Sequence, residues 1–377
     1  MSGSTFGTHF KITTFGESHG PALGVVVDGC PAGIPLSGEY VQTFLNRRRP
    51  GQNAFATPRK EADAVEILSG IFEGKTTGTP IAMMIRNETQ RSADYSEIAT
   101  YYRPGHADYT FDKKFGFHDY RGGGRSSGRE TAGRVAAGAV AQALLSELGI
   151  TVCAYAKSIH HFFCGSQDAY LAETMPLSEL IAARDNSPLN LPDAAISTQA
   201  EAFLKQLRAE RNSSGGTIEC ILRGLPVGLG DPVFDKFDAR LAMAMLSIGA
   251  VKGFEIGTGF SAATLTGIEQ NDAFYLDEAG NTRKRTNHAG GVLGGMTDGS
   301  DVCFRVAVKP TPSIAQPQET IKKDGTPCTV EIKGRHDPII VPRAVVVVES
   351  MAAIVAADAL LANAGSRLDT LKMIYGK

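Results

Sequence analysis

The sequence carries little net charge, no paired-cysteine motif and no long uninterrupted hydrophobic run. Its 377 residues include 38 Lys and Arg against 40 Asp and Glu, which gives a formal net charge of -2. This balance excludes a global attraction to nucleic acid or to anionic membranes, so any basic site must be a local concentration of arginine. We therefore expect no nucleic acid and no membrane among the partners.

The cysteine pattern and the N-terminal segment point to a reducing compartment. The six cysteines form no C-x-x-C motif, and the segment MSGSTFGTHFKI lacks the apolar core of a signal peptide. We expect free thiols and a cytoplasmic location. The longest apolar stretch, 344–364, is interrupted by Glu349 and Asp358, so it is predicted to be a buried helix rather than a membrane span.

Three well-known motifs are missing as well. Without G-x-x-x-x-G-K-[ST], a P-loop enzyme acting on nucleoside triphosphates is a poor interpretation. Without H-E-x-x-H or another zinc-ligand spacing, no metal site is expected. Without G-x-G-x-x-G between a strand and a helix, the chain has no independent dinucleotide-binding unit.

The chain is predicted to fold as one large α+β domain covering residues 1–377, because no Pro/Ser-rich linker or charge run divides it. Hydrophobic patterning predicts strands at 9–15, 23–27, 65–71 and 81–86, and helices at 38–46, 129–148 and 235–247. Ser127 and Glu130 are spaced as a capping box, and Gly149 is expected to end that helix. The stretch 87–127 has no comparable periodicity, and a loop of that length is usually functional.

The segment RGGGRSSGR at 121–129 is the strongest candidate for an anion site. Its glycines permit close approach of the backbone, and its three arginines lie directly before a helix N-terminus. Two other segments are weaker signals. The arginines of RRRPG at 47–51 follow a helix that Ser37 is expected to cap, where the helix dipole is a sufficient structural reason for them. The string RPGHAD at 103–108 places His106 in an accessible turn.

Residues 16–20, GESHG, match the G-x-S-x-G nucleophile elbow of serine hydrolases. An elbow requires a helix after the serine, whereas Ser18 is followed by Pro21 and by the strand-like run LGVVV. The hydrolase interpretation is therefore the rival class that the context disfavours. Further along, KPTPS at 309–313 and GRHDP at 334–338 put charged groups in rigid, proline-bounded turns.

Taken together, eight separated strings resemble the successive motifs of the chorismate synthase family in their order and spacing. They are FGESHG (15–20), NRRRPGQ (46–52), RPGHADYT (103–110), DYRGGGRSSGRETAGRVAAGA (119–139), AVKGFEIGTGF (250–260), HAGGVLGG (288–295), KPTPS (309–313) and GRHDP (334–338). The resemblance implies a β-α-β sandwich with antiparallel sheets, assembled as a homotetramer.

The resemblance also implies the reaction. The substrate would be 5-enolpyruvylshikimate 3-phosphate, from which a 1,4-elimination removes the C3 phosphate and a C6 hydrogen to give chorismate. Since that hydrogen is not acidic, the family uses reduced FMN as a transient electron donor. The alternative that stays open is an FMN-binding oxidoreductase that leaves its flavin oxidised.

Site residues carry over from the family position by position. The resemblance assigns catalytic roles to His19, His106 and Asp337. It assigns binding of the substrate anions to Arg48, Arg103, Arg129 and Arg335. The flavin contacts are Arg125, Ser126, Ser127, Gly249, Ala250, Gly294, Lys309, Pro310, Thr311, Pro312, Ser313 and Arg335. Arg48 is also the remaining candidate for NADPH, because Ala54 stands where other members have an arginine. We expect a separate flavin reductase or another reductant.

Overall fold

Two antiparallel sheets form the outer layers of the protein. The computed structural model describes residues 3–51, 62–87, 98–117, 119, 123–167, 169–332 and 337–376. In pairing order, the first sheet contains β1 (Thr5–Phe6), β2 (Lys11–Gly16), β3 (Ala22–Asp28), β7 (Ile81–Arg86) and β4 (Val65–Ile67). The second contains β11 (Val251–Ile256), β16 (Val302–Val308), β10 (Gly216–Arg223), β8 (Thr151–Ile159) and β9 (Phe162–Phe163).

Two long helices lie between the sheets. The helices of the described residues are α1 (Gly38–Arg48), α2 (Asp108–Phe115), α3 (Thr131–Glu147), α4 (Leu177–Asp185), α5 (Ala194–Ala209), α6 (Phe237–Leu246), α7 (Gly267–Gln270), α8 (Val341–Asn363) and α9 (Leu368–Tyr375). Helix α3 packs on β2, β3 and β7, α8 packs on β8 and β10, and the two helices pack on each other. The α+β sandwich is confirmed.

Four two-stranded hairpins complete the strands of the described residues. They are β5 (Ile71–Phe72) with β6 (Lys75–Thr76), β12 (Phe274–Leu276) with β13 (Thr282–Lys284), β14 (Val292–Leu293) with β15 (Met296–Thr297), and β17 (Gln318–Ile321) with β18 (Pro327–Val330). The hairpin β17–β18 also supports the 98–108 segment, because the amide of Tyr102 donates to the carbonyl of Ile321 at 3.2 Å.

The central helices are held together by close packing of small residues. A Cβ added at Gly138 of α3 would lie 2.6 Å from Cα of Ser350 on α8, so only glycine allows this approach. By length and composition α8 is apolar enough to cross a membrane, but 83% of its most apolar stretch is buried inside the protein. The prediction of a buried core helix is confirmed.

The structure confirms most predicted elements and corrects three. The predicted strand 65–71 is divided, because a turn with Gly70 at φ +82° separates β4 from β5. The loop expected at 87–127 contains α2, which buries no residue completely and therefore leaves no apolar stripe in the sequence. The helix expected at 129–148 is preceded by a 3-10 turn at Gly128–Glu130, and α3 starts at Thr131.

The predicted capping box is also wrong. The Ser127 hydroxyl accepts from the amide of Arg129 at 3.2 Å, because the tight 3-10 turn brings that amide nearer than the amide of Glu130. The Glu130 carboxylate instead accepts from the Thr14 hydroxyl and from Arg134, each at 2.9 Å. Gly149 follows α3 at φ +69°, as the predicted C-terminal stop requires.

Candidate active site

A cavity of about 760 Å³ lies between β1, β2, α2, the 123–126 turn and the C-terminal end of α6. Its lining includes the aromatic side chains of Phe111, Phe115 and Phe117 together with charged side chains. The charged residues that line it are Glu17, His106, Asp108, Lys114, Asp119, Arg125, Glu130 and Arg134. A cavity of this volume with apolar walls and a few polar groups is typical of a site for a small organic ligand.

His106 is oriented by an acid two residues further on. Its Nδ1 lies 2.7 Å from Oδ1 of Asp108, and Asp108 also accepts two hydrogen bonds of 2.7 Å from Arg103. Burial raises the pKa of Asp108, but the hydrogen bonds from Arg103 and His106 outweigh it and hold that pKa well below its usual range. Asp108 is therefore an anion that fixes both the imidazole ring and the guanidinium group.

The KPTPS turn packs against the turn that precedes His106. The Lys309 ammonium group donates to the carbonyl of Gly105 at 2.8 Å, and a Cβ at Gly105 would lie 3.2 Å from Cβ of Pro312. The amide of Lys309 donates to the carbonyl of Ala250 at 2.9 Å, next to Gly249. Burial, and secondly the charge of Lys252, lowers the pKa of Lys309. Three motifs that are far apart in sequence thus meet at the turn before His106, a residue that lines the cavity.

Thr311 presents an unsatisfied polar atom in this turn. Its Oγ1 is buried and has no hydrogen-bond partner within the described part of the chain. Its carbonyl accepts from the Ser213 hydroxyl at 2.7 Å, so the backbone is held while the hydroxyl remains unbonded. A buried hydroxyl without a partner is costly unless a ligand supplies one.

Arg125 lines the cavity but is bound to the first sheet. Its Nη1 donates to the carbonyl of Gly16 at 3.1 Å, and its Nη2 donates to the Thr14 hydroxyl at 2.7 Å. The Ser126 hydroxyl donates to the carbonyl of Gly123 at 2.6 Å. The 123–127 segment is thus closed on itself and on β2 before any ligand is present.

His19 lies in the turn between β2 and β3 and is buried. The Asn87 amide holds this turn by donating to the carbonyls of Glu17 at 3.0 Å and Gly20 at 2.7 Å. The strand β3 follows Ser18 where a nucleophile elbow would need a helix, so the geometry of a serine hydrolase is not formed. Glu17 from this turn lines the cavity, whereas His19 does not.

Arg48 and Arg129 form a buried cluster with Asp63, called here the Arg48–Asp63–Arg129 cluster. The Nη2 of Arg48 lies 3.1 Å from Oδ2 of Asp63, and Nη1 of Arg129 donates to Oδ1 of the same carboxylate. The Nε of Arg129 donates to Oδ1 of Asn87 at 2.9 Å, which connects the cluster to the His19 turn. Neither arginine lines the cavity.

Asp337 lies between the cluster and the first turn of α8. It accepts from Nη1 of Arg343 at 2.6 Å, and Nε of Arg343 donates to the carbonyl of Arg48 at 3.1 Å. Arg335, predicted for both substrate and flavin, lies outside the described residues, as does Ala54. Asp337 is thus brought near Arg48 but not to the cavity.

Gly294, another predicted flavin contact, lies near the opposite end of α6 from Gly249 and Ala250. It lies in the β14–β15 turn, whose Gly295 carbonyl accepts from the amide of Phe237 at the first residue of α6. Gly249 and Ala250 follow the other end of α6. A helix of ten residues is about 15 Å long, so the two glycine sites are separated by that distance along the helix.

Several residues of the site have no sequence signal of their own. Asp63, Asn87 and Glu130 are single polar residues that each have a partner 42 to 116 positions away, so no motif could mark these contacts. The helix dipole does not fully explain the arginines of RRRPG, because Arg47 also pairs with Glu349 at 2.5 Å and Arg48 pairs with Asp63. Asp108 could have been found from its place two residues after His106.

The sandwich fold and this cavity define a class: an α+β protein with a site for a small organic ligand, lined by aromatic and charged side chains and by an oriented histidine. The particular family follows from comparison. The family model described as chorismate synthase matches residues 10–361, and the chain belongs to that family.

Individual relatives support this assignment over the full length. The chain is 61% identical to the chorismate synthase of Lachnoclostridium phytofermentans and 59% identical to that of Agathobacter rectalis, with 100% of both chains covered in each case. A crystal structure of a chorismate synthase superposes with a TM-score of 0.77 at 32% identity, covering 98% of this chain and 96% of the other.

Proposed function

We propose that the chain is a carbon-oxygen lyase that makes chorismate, by 1,4-elimination of phosphate and a C6 hydrogen from 5-enolpyruvylshikimate 3-phosphate, with reduced FMN as cofactor. The observation that carries this proposal is the meeting of RPGHAD, Gly249–Ala250 and KPTPS at the turn before His106, a residue that lines the cavity. The family membership supplies the identity of the reaction.

The residues present fit a flavin. The cavity of about 760 Å³ is large enough for a planar ring system, and Phe111, Phe115 and Phe117 offer apolar contact. The unbonded hydroxyl of Thr311 and the ammonium group of Lys309, in the turn that packs against Gly105, would supply polar contacts to the cofactor. Arg125, Ser126, Ser127, Gly249, Ala250, Pro310, Pro312 and Ser313 complete the proposed cofactor set in this chain. When bound, reduced FMN supplies an electron transiently to a substrate whose C6 hydrogen is not acidic.

Proton transfer is assigned to the two histidines and to Asp337. Because Asp108 is an anion 2.7 Å from Nδ1 of His106, it favours the tautomer with hydrogen on that atom and leaves Nε2 for exchange with a ligand. His19 would donate a proton toward the departing phosphate. Asp337 would accept a proton from the cofactor side of the site.

The substrate anions are assigned to Arg48, Arg103, Arg129 and Arg335. A phosphate and two carboxylates call for several guanidinium groups, whose planar forks match these oxyanions. In the described residues, Arg48, Arg103 and Arg129 each already contact a carboxylate of the chain, so their geometry is fixed in advance.

The test is an anaerobic reaction of purified protein with 5-enolpyruvylshikimate 3-phosphate and chemically reduced FMN. We expect chorismate and phosphate to appear together, and no product with oxidised FMN alone. Phosphate release without chorismate would indicate a hydrolase, and absence of both products would remove the lyase proposal. The second candidate, an FMN-binding oxidoreductase, is favoured only by the flavin-sized cavity.

We propose that the chain depends on an external reductant and does not use NADPH. Ala54 stands where other members of the family have an arginine, and the chain has no G-x-G-x-x-G motif between a strand and a helix. Purified protein with NADPH and oxidised FMN, and no reductase, should form no chorismate. Steady product formation in that mixture would show that NADPH is used directly.

Assembly and location remain family-based proposals. A homotetramer is supported by large apolar side chains that a single chain leaves exposed, such as Phe234, Phe260 and Ile268. Its mass in sedimentation should be four times 40.0 kDa. A single domain over 1–377 is supported by the contiguous core shared by both sheets, and a cytoplasmic location by the six free cysteines.

A further inference from the structure

The Arg48–Asp63–Arg129 cluster contains an acid that has no role in the function proposed so far. The side chain of Asp63 is completely buried, and its two oxygens face different guanidinium groups. Oδ2 lies 3.1 Å from Nη2 of Arg48, and Oδ1 accepts from Nη1 of Arg129. Two of the arginines proposed to hold substrate anions are therefore bound to an anion of the chain itself.

The helix that carries Arg48 also fixes the backbone of Asp63. The Nε2 of Gln42 on α1 donates to the carbonyl of Asp63 at 3.3 Å, and Oε1 of Gln42 accepts from the amide of Val65 at 3.1 Å. Asp63 itself has φ +49°, a left-handed conformation that Asp and Asn adopt more readily than other residues with a side chain. The backbone conformation of Asp63 therefore directs its carboxylate toward the two arginines.

Within the described residues, the other hydrogen bonds of the two arginines go to neutral acceptors. Nη1 of Arg48 donates to the carbonyls of Gly128 at 3.2 Å and Arg129 at 3.3 Å. Nη2 of Arg129 donates to the carbonyl of Arg86 at 3.2 Å. These bonds orient the guanidinium groups without neutralising them.

We propose that Asp63 is the positioning residue of this arginine pair, and that its carboxylate occupies the pair until an oxyanion of the substrate, phosphate or carboxylate, displaces it from at least one guanidinium group. The identity of the oxyanion rests on the proposed function, whereas the competition does not. Guanidinium forks accept carboxylate and phosphate alike, and two anions in a buried site repel each other. A bound oxyanion and Asp63 therefore exclude each other.

The test uses Asp63→Asn, which keeps the size and tolerates the backbone conformation but removes the competing charge. Inorganic phosphate is titrated calorimetrically into the purified full-length chain without flavin or substrate. Loss of a charged hydrogen-bonding competitor should tighten phosphate binding by about tenfold or more, on the scale of such bonds. In the enzymatic assay, KM for the substrate should fall together with kcat, because the arginines bind more readily but are less well positioned.

The matched control is Glu66→Gln, which removes one negative charge nearby from an exposed pair with Arg86 at 2.8 Å. It should change phosphate affinity by less than about twofold, as expected for a screened surface charge. An equal gain in both variants, or unchanged or weaker phosphate binding in Asp63→Asn, overturns the proposal. A merely structural role for Asp63 predicts weaker binding.

A measurement on the unmodified chain covers the case in which Asp63→Asn does not fold. In crystals of the wild-type protein with inorganic phosphate, the anion should contact Arg48 or Arg129, and Oδ2 of Asp63 should move from 3.1 Å to beyond hydrogen-bonding distance of Arg48. Phosphate bound elsewhere, or bound there with both Asp63 contacts kept, overturns the proposal. Failure of the proposed function would be detected separately, because the wild-type protein would then form no chorismate in the enzymatic assay.

Discussion

The two halves of the proposed site are built in opposite ways. The Arg48–Asp63–Arg129 cluster joins residues up to 81 positions apart and is closed, since Arg48 is 1% exposed. The group of Arg103, His106 and Asp108 lies within six residues and borders the cavity, with the His106 side chain 18% exposed. The closed half depends on the tertiary fold for its geometry, whereas the open half depends on one local turn.

The largest expected effect concerns the closed half. Arg48→Met should lower the free energy of unfolding by about 3–5 kcal/mol, because it leaves a buried carboxylate short of one partner. Urea unfolding followed by circular dichroism measures this. The control Arg86→Met breaks an exposed pair and should cost no more than about 1 kcal/mol. Equal losses in the two variants would contradict the contrast between the cluster and the surface.

Substitutions in the open half should lower the activity of the protein rather than its stability. His106→Ala should lower turnover by about 10²-fold or more, the scale of lost acid–base catalysis, and leave the urea midpoint nearly unchanged. His161→Ala, which alters an exposed histidine outside the cavity, is the matched control and should keep full turnover. Near-normal turnover of His106→Ala would mean that its catalytic assignment is wrong.

Asp337 tests whether a residue beside the closed half takes part in proton transfer. Asp337→Asn can still accept a hydrogen bond from Arg343 but can no longer take up a proton, so turnover should fall by about 10²-fold. The affinity for substrate should change little. If Asp337→Asn retains turnover and only Asp337→Ala loses it, Asp337 serves to anchor Arg343.

The smallest expected effect is the pH dependence that Asp108 gives to the free energy of unfolding. Its folded pKa lies below the ordinary value of 3.8, so the unfolded chain binds a proton more readily. The contribution of Asp108 is therefore present above that value and is lost as the pH falls through the folded pKa. The stability difference between the wild type and Asp108→Asn should be larger at about pH 6 than at about pH 3. A difference that does not change with pH would contradict the ion pair.

The same contrast explains what could be predicted from the sequence. The strands β2, β3 and β7 and the helices α1, α3 and α6 were found because alternation and helical spacing record which faces are buried. The His106 turn was found because its chemistry is local. Helix α2 was missed because it has no completely buried residue to create a pattern.

The closed half was only partly predictable. The motifs indicated Arg48 and Arg129, but their contact with Asp63 is created by packing of α1 and β4 against the turn before α3. The role of Glu130 was misassigned for the same reason, since Thr14 and Arg134 compete for its carboxylate. Spacing along the chain identifies local bonds, but it contains no information on such distant partners.

The most direct test of the central claim is the ratio of chorismate formed to flavin oxidised under strictly anaerobic conditions. Product is measured by chromatography while the absorbance of the flavin is recorded in the same cuvette. A lyase that recovers its reduced flavin after each turnover should form many chorismate molecules for each flavin oxidised. One flavin oxidised per product, or no chorismate with fully reduced FMN, would contradict it.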